Sequence, residues 1–502
     1  MLLMSVVLAA SIFARQMDRV ASTDPAQCQS VYDSKVVQLI YETPLNIDYY
    51  ARPYKLVPGA CELPEVSEDG LTYIFRIREK SVTGNGFPSI VHSSDIVRSL
   101  ERLRDPDIVS PNGWYLKSVD TIRALDDRTV EIKMKKRQHV FPWIMAMSGC
   151  GIMKADGSGT GPFELTKWWK NHEMVFTRRK NGESRSERLF DVVKFLVIDD
   201  MSTQWLMFLN GELDVLGEIS QDNWDAVVDK DGSLSPDMLK AGVKMYSMPT
   251  LSVMYVGLNM NDPVLGKNRK LRQALNAAFD FEAWNRFYRN RAVEAGGPVP
   301  PTVAAALPAE TFKYRFDLEL ARKLIAEAGY PDGIDPETGR RLVLTVSMGR
   351  ASQDARERAE LMASFYAKIG VKLETQFYTW EAFMKAVNEG RTQMYQMGWV
   401  GDYPDAENFL QLFHSSNVSP GANHSCYANP EYDRAYDEAM AANTEEERNR
   451  YWRKCQEIVR EDCPWIFTHV PKSNSLVRPS VGNYIPSDFP YGQEAYLCPV
   501  GE

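Results

Sequence analysis

Between residues 318 and 400 the chain alternates between amphipathic helical stretches and short β-rich runs, and this order constrains the fold more than any other feature. Residues 318–328 (LELARKLIAEA) carry apolar side chains at helical spacing, and Gly329 and Pro331 stop the helix. Residues 342–347 (LVLTVS) read as a strand, 352–369 as a long helix ended by Gly370, and 371–377 (VKLETQF) as a strand. Residues 380–388 read as a helix and 394–400 (MYQMGWV) as a strand. Parallel strands need a crossover, which a helix supplies, so this order predicts an α/β lobe of parallel type. Ligands of such lobes meet the chain at the carboxyl ends of the strands. Two places follow: Met348-Gly349-Arg350 and Gly401-Asp402-Tyr403.

The rest of the chain predicts a mixed α+β composition without short repeats. Residues 34–41 and 92–103 read as helices, 71–78 as a half-buried strand, and 119–124 with 129–134 as a hairpin around Asp126-Asp127-Arg128. Residues 84–86 read as a turn, 202–210 as a helix capped by Ser202, 254–258 as a buried strand, and 269–279 as a helix. The run GSGTGPF at 157–163 is too rich in glycine and proline for a helix or a central strand. A phosphate-cradling loop needs Gly-Lys-Ser/Thr opening a helix; here strands follow, so a tight entry turn is the reading. With 502 residues, the chain exceeds a single core and is expected to form two or three lobes.

A net charge of −9 spread along the chain argues against a nucleic-acid partner. Seven cysteines, with no CxxC pair, argue against a structural zinc site; buried free thiols and one or two disulfides both remain open. Residues 1–14 (MLLMSVVLAASIFA) have the length of the apolar part of a secretory signal but no preceding Lys or Arg. The competing reading is a buried first strand.

Nothing in the sequence assembles catalytic chemistry: there is no GxSxG elbow, no HExxH and no Walker loop. His414, His424 and Cys426 share one loop, but their irregular spacing among Ser, Asn and Gly reads as surface rather than metal site, and no cofactor or metal is expected. The segment 398–412 (GWVGDYPDAENFLQL) is the most unusual. It sets Asp402 among Trp399, Gly401 and Tyr403 at a strand exit. A carboxylate between aromatic rings suits an ammonium, by a charge-assisted hydrogen bond and cation–π attraction. The competing reading makes Asp402 and Asp405 caps of the helix that follows; for Asp405 the cap is preferred.

The chain resembles the extracellular solute-binding protein family 5, the dipeptide, oligopeptide and nickel group of transporter binding proteins. The resemblance rests on Thr160-Gly161-Pro162-Phe163 with Trp168, on FLNGELDV at 208–215, and on YVGLNM at 255–260 with LRQALNAAFD at 271–280. It continues in ARKLIAEAGYPDG at 321–333, GWVGDYPDAENFL at 398–410 and YANPEY at 427–432. It implies a periplasmic-binding-protein-like fold of two mixed α/β lobes joined by a hinge. Lobe I would comprise 15–60, an extra subdomain at 61–156, and 157–258; lobe II would span 259–470, and 471–502 would return to lobe I. The implied function is capture of a di- or oligopeptide for an ABC permease and its ATPase by a monomeric, exported, periplasmic protein, rather than catalysis. A sugar, opine or metal chelate is the alternative solute, and a hydrolytic enzyme the remoter reading. By the resemblance, Asp402 matches the aspartate that holds the peptide α-ammonium in peptide-binding members. Arg350 falls near the arginine that dipeptide binders use for the carboxylate; an ordinary surface arginine is the equal alternative. No lipobox cysteine follows the apolar start.

Overall fold

The last residues of the apolar start, 12–14, lie in a core strand. Ile12–Met17 pairs in parallel with Val192–Val197, and its Phe13 and Met17 are buried. In the computed structural model of the chain, the structure describes residues 10–78, 81–82, 88–89, 91–179, 189–229, 232–419, 421–487 and 492–500. Most of the candidate signal segment, and the turn at 84–86, lie outside the described residues. Two units form: Met1–Met248 with Ser473–Glu502, and Pro249–Lys472.

In the first unit the sheet runs in the order Phe163–Trp169, Glu173–Arg178, Val192–Val197, Ile12–Met17, Val215–Leu216, and then the end of the long strand Trp465–Val477, whose Val477 and Leu476 pair with Val215 and Leu216. Phe13, Phe163, Phe176 and Phe195 fill its core beside the helix Val31–Ile40. That helix begins with a capping box: Ser30 accepts from the Asp33 amide, and Asp33 accepts from the Ser30 amide. The glycine-rich run is an entry turn, with the Gly161 amide donating to the Ile40 carbonyl at 2.7 Å, after which the strand Phe163–Trp169 starts. A separate antiparallel sheet of Glu65–Val66, Thr72–Arg76, Thr129–Met134 and Val119–Asp126 is packed against the helix Ser93–Glu101. The C-terminal segment is tied in by a buried carboxylate: Glu494 takes Arg15 at 2.8 Å and Lys35 at 3.4 Å.

In the second unit the sheet order is Ala292–Glu294, the first part of Trp465–Val477, Ser252–Leu258, Met394–Val400, Val343–Met348 and Lys372–Phe377. The last three strands are mutually parallel, with the helices Gln353–Ala367 and Trp380–Asn388 as crossovers, which is what the alternation predicted. Ser252–Leu258 joins this unit, ahead of the residue 259 that the sequence reading chose, because it pairs with Met394–Val400 on one side and residues 465–469 on the other. Tyr255 lies flat on Trp465 in the core. The helices Pro430–Ala441 and Glu445–Asp462 complete the unit. All seven cysteines are free; five of them, Cys28, Cys61, Cys150, Cys455 and Cys463, are buried. Among the described residues no helix is long and apolar enough to cross a membrane.

Candidate ligand-binding site

Parallel pairing brings three chain exits to one end of the second unit's sheet. Met348 stands opposite both Phe377 and Gln396. Beyond that level the chain continues as Gly349-Arg350, as Tyr378-Thr379-Trp380, and, after the longer strand Met394–Val400, as Gly401-Asp402. Arg350 is two residues past Met348 and Asp402 six past Gln396. An offset of four residues is about 13 Å along the strand direction at ~3.3 Å per residue.

Asp402 is held by a buried amide. Asn408, 1 % exposed, accepts on Oδ1 from the Trp399 indole N–H at 2.9 Å and from the Asp402 backbone N–H at 3.1 Å. Its Nδ2 donates to Asp402 Oδ2 at 3.3 Å. The short helix Glu407–Leu410 carries Asn408 to this point; Asp405, just ahead of its cap position Ala406, accepts from the Glu407 amide at 2.9 Å. Gly401 permits close packing: its amide donates to the Leu251 carbonyl at 2.7 Å, and a Cβ there would lie 2.8 Å from Phe409 and 2.9 Å from Leu251.

Water reaches Asp402, yet the protein atoms around it penalise its charged form and hold its carboxyl above the usual carboxylate range; the Asn408 amide draws it partly back. No cation among the described residues contributes to its titration. The result is an exposed carboxylate, raised above its ordinary range, with one amide donor and open acceptor capacity, an arrangement that gains from an arriving cation.

The aromatic neighbours divide. Trp399 is half-buried, and its indole N–H is committed to Asn408, so it positions the carboxylate. Tyr403, expected beside the carboxylate, is turned inward instead: it is 5 % exposed and its hydroxyl donates to Glu407, which also accepts from Tyr436 at 2.8 Å. A buried phenol needs a partner, and Glu407 supplies it. Arg350 is exposed and adds to the field that holds the Asp354 carboxyl low, behind the larger effects of the Ser352 hydroxyl and Arg358.

Sequence reasoning overlooked Asn408 and two exposed apolar residues at the same strand exits: Trp380, 58 % exposed, and Val400, 70 % exposed. The only available signal for Trp380 was a tryptophan in the first helical position after a strand. The first unit has a cavity of its own, about 50 Å³, lined by Tyr41, Tyr49, Tyr54, Tyr496, Glu42 and Asp48, with Tyr49 stacked on Tyr496 at 4.4 Å. These residues are scattered in sequence, so no motif announces them. His414 stands apart from the strand exits, with Nδ1 at 2.7 Å from Ser416 Oγ and Nε2 at 3.8 Å and 3.6 Å from Asp433 and Asp437. Among the described residues no group of three or more His, Cys, Asp or Glu is arranged to hold a metal ion.

Known proteins share both the sequence pattern and this fold. The chain is similar to the heme-binding protein A of Haemophilus influenzae, with 28 % identity over 88 % of this chain and 83 % of that protein. It is also similar to the dipeptide-binding protein of Escherichia coli, with 23 % identity over 91 % of this chain and 88 % of that protein. The solved structure of HbpA2 from Haemophilus parasuis shares the fold, with a TM-score of 0.83 at 23 % identity, covering 98 % of this chain and all of that one. Residues 55–421 match the family model for bacterial extracellular solute-binding proteins, family 5 Middle, and the chain belongs to that family.

Proposed function

We propose that this chain is the exported, periplasmic binding component of an ABC-type importer, and that it captures a short peptide by its charged ends. The observation that carries the reading is Asp402: an exposed carboxylate at the exit of a parallel strand, held by Asn408, raised above its ordinary range, and with no cation among the described residues contributing to its titration. It receives the ligand's α-ammonium. Arg350 takes the ligand's carboxylate in a two-pronged contact. The strand offset of about 13 Å, shortened by the reach of an arginine side chain, suits an extended peptide of roughly two to four residues at ~3.3–3.6 Å per residue. The name of the dipeptide-binding relative supports this reading. Handover to a permease follows from the family; binding and release, not bond-breaking, are the chemistry.

Calorimetry with free and N-acetylated di- and tripeptides tests the reading. The free peptides bind, acetylation weakens them, and Asp402→Ala costs about 2–5 kcal/mol, the range for removing one partner of a buried charge pair. Equal binding of acetylated peptides, or an Asp402→Ala variant that binds as the parent does, refutes it. The heme-binding relative favours a second reading, a non-peptide solute. Native mass spectrometry of the purified protein separates the two by the mass of what co-purifies.

A further inference from the structure

Trp284, Trp452 and Trp465 are fully buried, whereas Trp114, Trp168, Trp169 and Trp380 are exposed. Of the exposed four, Trp380 stands at a strand exit of the second unit, opening a helix whose Phe383, Ala386 and Val387 are buried. Its ring lies 5.5 Å from that of Phe383, tilted by 35°. It also lies against Gly349, the residue before Arg350: a Cβ on Gly349 would come within 2.8 Å of the indole and of the Phe383 ring. The ring therefore rests over the turn that presents the guanidinium, with most of its surface open to solvent. Leaving that much apolar area in water is unfavourable in the empty protein, and covering it with an apolar group recovers the loss.

We propose that Trp380 is a specificity-determining contact: a shelf beside Arg350 that takes an apolar side chain at the carboxylate end of the ligand, so that peptides with an aromatic or large aliphatic C-terminal residue are preferred. The inference rests on the peptide reading above and deepens it. Juxtaposition gives the position of the preference. The shelf touches the Arg350 turn, whereas the ammonium end is set by Asp402 on the neighbouring strand, so the selected side chain belongs to the last residue of the ligand. Aromatic rings gain most, because they add offset or edge-on contact with the indole to the area they bury.

The test is calorimetry on the full chain with Ala-Phe, Ala-Leu and Ala-Ala, for the parent, Trp380→Ala and Trp380→Leu. The parent is expected to rank Ala-Phe above Ala-Leu above Ala-Ala. Trp380→Ala should weaken Ala-Phe about fivefold to tenfold more than it weakens Ala-Ala, from the ring contact and the area lost. Trp380→Leu, which keeps apolar surface but removes the ring, should reduce the advantage of Ala-Phe over Ala-Leu. If Trp380→Ala does not fold, the leucine variant decides the matter by the same ratio. Equal weakening of all three peptides, or none, overturns the shelf while leaving the peptide reading intact if Asp402→Ala still abolishes binding. Failure of every peptide to bind the parent removes both.

Discussion

Replacing Asn408 with alanine removes the side chain that joins Trp399, the Asp402 backbone and the Asp402 carboxylate. Three hydrogen bonds disappear: those at 2.9 Å and 3.1 Å to Oδ1 and the one at 3.3 Å from Nδ2. At a net ~0.5–1.5 kcal/mol each, the folded protein loses about 1.5–4.5 kcal/mol. The effect on binding differs in kind. The carboxylate survives but is no longer held in place, and immobilising one side chain on binding costs about 0.5–1.5 kcal/mol, or roughly a twofold to twelvefold loss of affinity. That is smaller than the loss expected for Asp402→Ala. The assays are a thermal melt of the unliganded variant and calorimetry with the best-bound peptide, at a temperature where both proteins are folded. A lowered Tm with unchanged affinity would show that Asn408 supports the loop but does not orient Asp402. A variant equal to the parent in both measurements would refute the hydrogen-bonded bridge itself.

Because surrounding protein holds the Asp402 carboxyl above its ordinary range, affinity for an α-ammonium should begin to fall, as pH is lowered, at a higher pH than for an unperturbed aspartate, and this slope should vanish in Asp402→Asn; calorimetry across a pH series reads it. The sign for stability is opposite. A carboxyl raised on folding contributes most below its unfolded value and loses that contribution as pH rises through its folded value, so unliganded Asp402→Asn should melt above the parent at neutral pH. Glu494→Gln leaves Arg15 and Lys35 without their shared buried counter-charge. A loss of about 3–5 kcal/mol is expected in denaturant unfolding, and an unchanged midpoint would show that the triad adds nothing.

The helices and strands from Leu318 to Val400 were legible because each depends on neighbours in sequence: apolar periodicity, a stop at Gly329 or Gly370, and a polar cap. The local role of Asp405 was legible in part: its side chain accepts from the Glu407 amide, one residue ahead of the cap position, which Ala406 holds. Where a local rule had two nearby candidates it misplaced the cap: Met201–Asn210 is started by Asp200, whose side chain accepts from the Thr203 amide, rather than by Ser202. The strand Trp465–Val477 escaped the reading; its burial comes from partners more than 170 positions earlier in the chain.

Sequence alone determined that two strand exits, at Arg350 and at Asp402, fall at one end of a parallel sheet, since crossover order and strand polarity follow from local pattern. Tertiary structure decided what surrounds that carboxylate. Asn408 closes onto it, Tyr403 turns towards Glu407, and Trp380 stays in solvent beside Gly349. Those outcomes depend on which polar groups find partners and which apolar faces are covered once distant segments meet, and loop residues carry no periodicity that records it.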